Sequence, residues 1–362
     1  MAQSENGQSP KYRLLADTIK GQIAAGYYLP GDKLSSENEL CCQFGYSRQT
    51  VRQALGILEQ EGMLLRQRGS GTYINAVAKK AELTHHIGVI TTYITDYIFP
   101  SITRGIEEEL SSRGYQLTLG VTKNRVENEG KILKSFLESK VDGMIVEGTK
   151  TAFPNPNLPL YQQLQKEGIP FVFINGFYRE LSGVHVVTND RACGLEAAEY
   201  LLHGNSKNKL GGIFKSDDMQ GHERYAGFAG GVLASGSELN DEAVIWYTTS
   251  DKEELFSEAN TPHLLKNLNG CTGVVCYNDQ IAYALIEWLL RQGLRVPDDM
   301  EVIGFDNSNL SEYSSVKITT FDHPKELLGR QAADKIINMV ELKTKEKSLV
   351  LDMKLIIKES TK

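Results

Sequence analysis

The stretch SRQTVRQALGILEQEGMLLRQRGSGTYI, residues 47–74, decides the fold of the first part of the chain. Val51, Leu55 and Leu58 recur at helical spacing and predict one buried face. Arg48, Gln49 and Arg52 fall on another face, within an arc of about 100° by the helical period. Ser47 stands just ahead of them, where its hydroxyl can cap the helix start. LLRQRGSGTYI then reads as a hairpin, with Gly69 and Gly71 supplying the turn and Arg68 at its tip.

Upstream, Tyr12, Leu15, Ile19 and Ile23 predict a first amphipathic helix. LPGD, residues 29–32, turns the chain. Ser36 with Glu39 three residues on forms a capping box and starts a second helix, which ends near Phe44-Gly45. The three-residue turn Gly45-Tyr46-Ser47 joins it to the third. Two short helices on a tight turn, the second with a polar N-terminal face, make a helix-turn-helix.

A lone surface arginine usually marks a solvated face. Here two arginines flank a helix start and a basic, glycine-rich wing follows, which is a much less common combination. The guanidinium fork matches phosphate oxygens or the O6/N7 edge of guanine. GSGT is not a phosphate loop, because no Lys-Ser/Thr follows and no strand-to-helix step surrounds it.

On LPGDKLSSENEL, FGYSRQTVRQAL and EGMLLRQRGSGTYI, residues 11–75 resemble a GntR-type winged-helix DNA-binding domain, and the head is placed at residues 10–75. Ser35 replaces the usual proline of LPSE. The resemblance implies that Ser47, Arg48, Gln49, Thr50 and Arg52 meet the major groove and its phosphates. It puts Glu37 and Asn38 near the DNA backbone, and Arg68, Gly69 and Gly71 at the minor groove.

The net charge of −7 alone argues against a nucleic-acid partner. Its distribution does not. Through residue 75 there are eight basic and seven acidic residues, so a near-neutral head sits on an acidic body. DNA affinity depends on local charge facing phosphates. No run of eighteen apolar residues exists, so no membrane span is expected. The polar start MAQSENGQSP is not a signal peptide, and five scattered cysteines fit reduced thiols in a cytoplasmic protein.

Residues 76–86, with two lysines and little periodicity, read as a linker; His85-His86, without a third ligand, reads as polar surface rather than metal. From Ile87 short apolar runs alternate with helical stretches to the end of the chain. That rhythm predicts an α/β body of parallel sheets in two lobes over residues 87–362. Lobe one is expected at about 87–188 and 322–348, and lobe two at about 189–321 and 349–362. Ligands bind outside the carboxyl ends of such strands. The polar residues there are Tyr93, Asp96, Glu147, Asn175, Lys215, Asn278 and Asp306, with Arg224 starting a helix after a strand and Phe99 as an aromatic neighbour. Any one of them alone reads equally as a cap or loop residue. Together they suit sugar hydroxyls, which need planar donors and acceptors and an apolar face for the ring. No dinucleotide fingerprint, nucleophile elbow, HExxH or Ser-x-x-Lys arrangement stands out, so an enzyme is not expected and no cofactor is implied.

On VDGMIVEG, RYAGF, GVVCYNDQIA, VPDDMEVIGFDN and the last strand LVLDMKLIIKEST, residues 87–362 resemble the LacI/GalR-type effector domain, related to periplasmic sugar-binding proteins. The resemblance implies that Arg224, Asn278 and Asp306 hold the effector, with Asn175 facing the cleft and His323 on the crossover to lobe one. Head and body together resemble the arabinose-responsive repressors of Gram-positive bacteria. The resemblance implies a homodimer on palindromic double-stranded operator DNA, released by L-arabinose. A repressor answering another sugar or a sugar phosphate stays open, as do a sugar-processing enzyme with a DNA-binding head and a sugar-binding module without DNA function.

Overall fold

Two serines set the frame of the head. In the computed structural model, which describes residues 10–24, 27–29, 31–67, 70–75, 83–95, 97–205 and 207–362, contacts divide the chain into Met1–Leu83 and Thr84–Lys362. Helix α1 spans Lys11–Ala24, α2 Glu37–Phe44 and α3 Arg48–Gln60. The Ser36 side chain accepts from the Glu39 amide while the Glu39 carboxylate accepts from the Ser36 amide, a complete capping box. Gly45 ends α2 at φ 67°, a conformation that favours glycine, and Ser47 then caps α3 through the Thr50 amide. Strands β1 (Leu64–Gln67) and β2 (Gly71–Ile74) pair antiparallel, and Lys33 makes an isolated antiparallel bridge to Tyr73. Leu15, Ile19, Leu40, Val51, Leu55, Leu58 and Ile74 form the buried core.

The second unit begins at Thr84, earlier than expected. The Thr84 and His85 amides donate to the Asp142 carboxylate at 2.9 and 2.7 Å, and His86 already belongs to a strand. Asp142 thus ties the end of the expected linker to the body; residues 76–82 lie outside the described residues. The chain runs β3 (His86–Thr91), α4 (Phe99–Ser112), β4 (Gln116–Val121), α5 (Val126–Ser139), β5 (Gly143–Val146), α6 (Leu158–Glu167), β6 (Phe171–Ile174) and β7 (Val184–Thr188). It then crosses into α7 (Asp190–Leu202), β8 (Leu210–Lys215), α8 (Met219–Ala234), β9 (Val244–Tyr247), α9 (Thr261–Asn267), β10 (Gly273–Cys276), α10 (Asp279–Arg291), β11 (Glu301–Phe305), α11 (Leu310–Tyr313) and β12 (Thr319–Asp322). It returns through α12 (Lys325–Glu341) and ends in β13 (Leu349–Leu351) and β14 (Lys354–Ile356).

Both sheets repeat one topology. The first has the order β13-β7-β6-β5-β3-β4 and the second β14-β12-β11-β10-β8-β9. In each, the first strand of its lobe sits inside the sheet, so the order reverses there: between β3 and β5, and between β8 and β10. The crevice at that reversal is where ligands of doubly wound sheets bind.

Two expectations need correction. LVLDMKLIIKEST is not one strand of lobe two. It breaks at Asp352-Met353 into β13, which pairs parallel with β7 of lobe one, and β14, which pairs antiparallel with β12 of lobe two. The last crossing therefore falls after residue 351 and not at 348/349. The second sheet also carries an antiparallel edge. A continuous run of alternating apolar residues hides such a break, because both halves have strand character.

Glycines set how closely the helices approach. A Cβ on Gly194 of α7 would lie 2.1 Å from the Arg224 carbonyl oxygen, and one on Gly227 of α8 would lie 1.9 Å from that of Arg191. Gly105 of α4 and Gly329 of α12 meet backbone in the same way, at 2.2 and 2.3 Å. Gly194→Ala should cost about 1–3 kcal/mol in denaturant unfolding, because backbone must shift to admit the methyl group. Gly230→Ala, with nothing within 4 Å, should be neutral or stabilising.

Candidate functional site

In the head, the polar face of α3 is organised by one carboxylate. Glu37, at the start of α2, lies 2.8 Å from Arg52 Nε, 3.6 Å from Arg48 Nε and 3.1 Å from Arg66 Nη2. The three arginines stay roughly half to two-thirds exposed, so the cluster is an open basic surface with a counter-ion in its middle. Asn38, Ser47 and Gln49 are exposed and Thr50 is partly so; Ser47 and Thr50 share a hydroxyl contact of 2.9 Å. Gly71 stands at φ 132° against Lys33, where a Cβ would come within 2.7 Å of its Cε. Arg68 and Gly69 lie outside the described residues. Arg66 is the residue missed among the candidates. Its place on β1 opposite Thr72, beside the start of α2, depends on the hairpin register.

In the body, a cavity of about 310 Å³ lies between the lobes, beside the reversal of both sheets. From lobe one it is lined by Tyr93, Phe99, Glu147 and Asn175, and from lobe two by Lys215, Arg224, Asn278 and Asp306. Asp96 lies outside the described residues. Tyr93 and Phe99 meet edge to face with ring centroids 5.7 Å apart, an apolar surface at the mouth. Glu147 follows β5 and is buried; it accepts from Asn175 Nδ2 at 2.9 Å and from the Thr92 amide at 2.7 Å. Burial raises its pKa, and those two donors offset part of the shift. Asn175 holds φ 62° and its Oδ1 has no partner among the described residues. Asn278 spends its Oδ1 on capping α10 through the Ile281 amide.

Arg224, inside α8 and not at its start, is 1% exposed. Its Nε donates to Asp190 at 2.8 Å, Nη1 donates to the Tyr277 carbonyl, and Nη2 lies 3.5 Å from Asp306 Oδ1. Its guanidinium carbon lies 4.3 Å from the Phe305 ring centroid and 5.0 Å from that of Tyr277. Burial pulls its pKa down, but the Asp190 and Asp306 carboxylates outweigh that and raise it. Lys215 follows the same logic: burial opposes its charge, and Asp218 at 3.4 Å and Asp217 at 3.7 Å restore it.

His323 does not join this wall. It is 2% exposed between β12 and α12, off the cavity lining, and neither ring nitrogen has a partner among the described residues. Its backbone makes the crossing, and the ring turns into the interior. Several lining residues escaped the sequence reading: Tyr97, Asn124, Thr151, Asp218, Gln220 and Tyr277. Thr151 Oγ1 accepts from the Met219 amide at 3.0 Å, and Asn124 Nδ2 donates to Thr249 at 2.5 Å, so the lobes meet across the cleft. Of these, Asp218 alone has a local signal, the Asp217-Asp218 run just after β8.

Comparison with known proteins agrees with both halves. Residues 11–74 match the model for bacterial regulatory proteins of the gntR family, and residues 200–361 that for a periplasmic binding protein-like domain. The chain is 38% identical to an arabinose metabolism transcriptional repressor of Halalkalibacterium halodurans, over 97% of this chain and 96% of that one. It is also 38% identical to one of Geobacillus stearothermophilus, over 98% of each. Among solved structures, the transcription regulator CcpA of Lactococcus lactis superposes with a TM-score of 0.67 at 26% identity, covering 76% of this chain and 99% of that one.

The buried imidazole has a pH signature. Burial lowers the His323 pKa from the ordinary 6.5 to about 4, so the folded protein keeps it neutral while the unfolded chain takes up a proton. Its contribution to stability is intact above pH 6.5 and is lost as pH falls toward 4, by at most about 1.4 kcal/mol per pH unit. Denaturant unfolding between pH 7 and 5 should show the wild type losing stability relative to His323→Phe.

Proposed function

The chain belongs to the family of arabinose metabolism transcriptional repressors, and from that premise we propose how its two parts work. The head binds operator DNA, with α3 in the major groove and the β1–β2 wing along the minor groove. A homodimer matches a two-fold operator. L-Arabinose occupies the cleft of the body and favours the state that does not bind DNA. Sugar shifts the equilibrium only as far as it prefers that state, roughly 1–3 kcal/mol in typical allostery.

The observation that carries the sugar reading is the chemistry of the cavity. Its volume of about 310 Å³ is at the small end of ligand pockets, typically ~300–1,000 Å³. Carboxylates, amides and an aromatic pair line it, and Lys215 and Arg224 are engaged by aspartates. A phosphate would face Glu147 and Asp306 and would find Lys215 and Arg224 engaged by aspartates, with Lys150 and Lys252 as the other lining cations. A neutral polyol meets acceptors and donors in balance.

Calorimetric titration of the full-length protein with L-arabinose, D-xylose, D-ribose and D-galactose tests the reading. Selective heat with L-arabinose, together with weaker operator binding in its presence at fixed salt, is the expected outcome. Equal operator affinity with and without sugar rejects it. Nuclear magnetic resonance of the sugar after incubation should show no conversion, which separates this reading from an enzyme.

The head makes its own prediction. Arg48→Ala should lose operator binding and keep sugar binding. Glu37→Gln should narrow the gap between operator and random DNA, because the arginines lose their common anchor while net positive charge rises. Fluorescence anisotropy over a salt series measures both.

A further inference from the structure

The loop from β3 to α4 reaches into lobe two through one side chain. Tyr97 accepts a hydrogen bond from the Asp279 amide at 3.1 Å. Its hydroxyl lies 2.6 Å from Asp306 Oδ2 and 3.0 Å from the Phe305 carbonyl oxygen, both acceptors for its proton. These partners lie more than 180 residues away in the chain and belong to the other lobe. No other side chain of the loop makes such a set of bonds among the described residues.

The backbone on both sides of this contact is unusual. Tyr97 sits at φ 69° and Asp306 at φ 97°, conformations that non-glycine residues rarely hold without compensation. The Asp306 amide donates to the Phe321 carbonyl inside lobe two at 2.8 Å, whereas the bonds of the Tyr97 hydroxyl all run between lobes. The Tyr97–Asp306 pair spans the two lobes, so separating them breaks it.

The contact also divides the work of one carboxylate. Asp306 Oδ2 is taken by Tyr97. Oδ1 has no hydrogen-bond partner among the described residues beyond the approach of Arg224 at 3.5 Å, and Asp306 lines the cavity. A carboxylate held by one oxygen cannot rotate, so its other oxygen keeps a fixed direction.

We propose that Tyr97 is a positioning residue for the effector: its hydroxyl fixes Asp306 so that one oxygen faces a sugar hydroxyl, and it makes lobe closure and sugar binding a single event. The inference rests on the sugar reading above. It adds that a residue of lobe one sets the geometry of a ligand group in lobe two, so that open lobes present a poorer site.

The test is Tyr97→Phe in the full-length protein, which keeps the ring and removes only the hydroxyl. Loss of a hydrogen bond to a carboxylate should weaken L-arabinose binding by about tenfold or more in calorimetry. Operator affinity without sugar should stay within twofold of wild type, so the sugar concentration that releases the operator rises by the same factor. Hydrogen exchange gives a second readout that general loosening would not reproduce. Saturating L-arabinose should slow exchange at the Asp279 amide in wild type and leave it unchanged in the variant. Tyr97→Phe binding L-arabinose within twofold of wild type, or an Asp279 amide equally protected in both, overturns the inference alone. A wild type that gives no heat with any of the four sugars overturns the sugar reading and this inference with it.

Discussion

Arg224 is the constraint around which the body is built. A guanidinium inside a protein is tolerated only when carboxylates and carbonyls surround it, and removing one partner leaves a buried charge uncompensated. Asp190 comes from the start of α7, Asp306 from the end of β11 and the Tyr277 carbonyl from the end of β10. Thr188 in turn donates to Asp190 at 2.9 Å, which draws in the end of β7. One cation thus fixes the ends of three elements of lobe two and the first crossing from lobe one. The glycine contact between α7 and α8 sets its depth, since Gly194 rests on the carbonyl of Arg224 itself. The polar cleft follows from satisfying this charge.

The head solves a similar problem with the opposite solvent exposure. Glu37 gathers three arginines, but they remain largely in water, where an ion pair contributes only about 0–1 kcal/mol. Such contacts hold side chains in position without holding them back. A phosphate oxygen can replace the carboxylate at little cost, so the three guanidinium groups are held in place and still open to another anion. The interior cluster of the body has no such freedom, which suits a scaffold that must keep its shape while a ligand comes and goes.

The head was legible almost residue by residue because its signals are local. Ser36 with Glu39, Gly45 and Ser47 each declare a helix end within four residues, and Val51, Leu55 and Leu58 declare a face. Strand-end positions in the body were legible for a related reason: the rhythm of apolar runs marks where each strand stops. The comparisons bear out the family and fold read from these patterns. What stayed hidden depends on long-range geometry. Tyr97 is one tyrosine among sixteen until the lobes are placed face to face. Arg66 becomes part of the Glu37 cluster only through hairpin register. His323 has the right sequence position for the crossover, but nothing in the sequence says which way its ring turns. The break between β13 and β14 is silent because both sides have the same β character.

That break orders events during synthesis. The head is contiguous and has all its residues once the ribosome has passed the hairpin. Lobe one does not: α12 covers its sheet and β13 completes the edge beside β7, and both are made after every helix and all but the last strand of lobe two. Lobe two in turn waits for β14, a few residues later. Neither lobe can close its sheet until residues 349–356 leave the exit tunnel, so the non-local pairing of both edges comes late and together. A nascent chain therefore carries a finished head ahead of an unfinished sensor, and a truncation before residue 349 strips an edge strand from both sheets together.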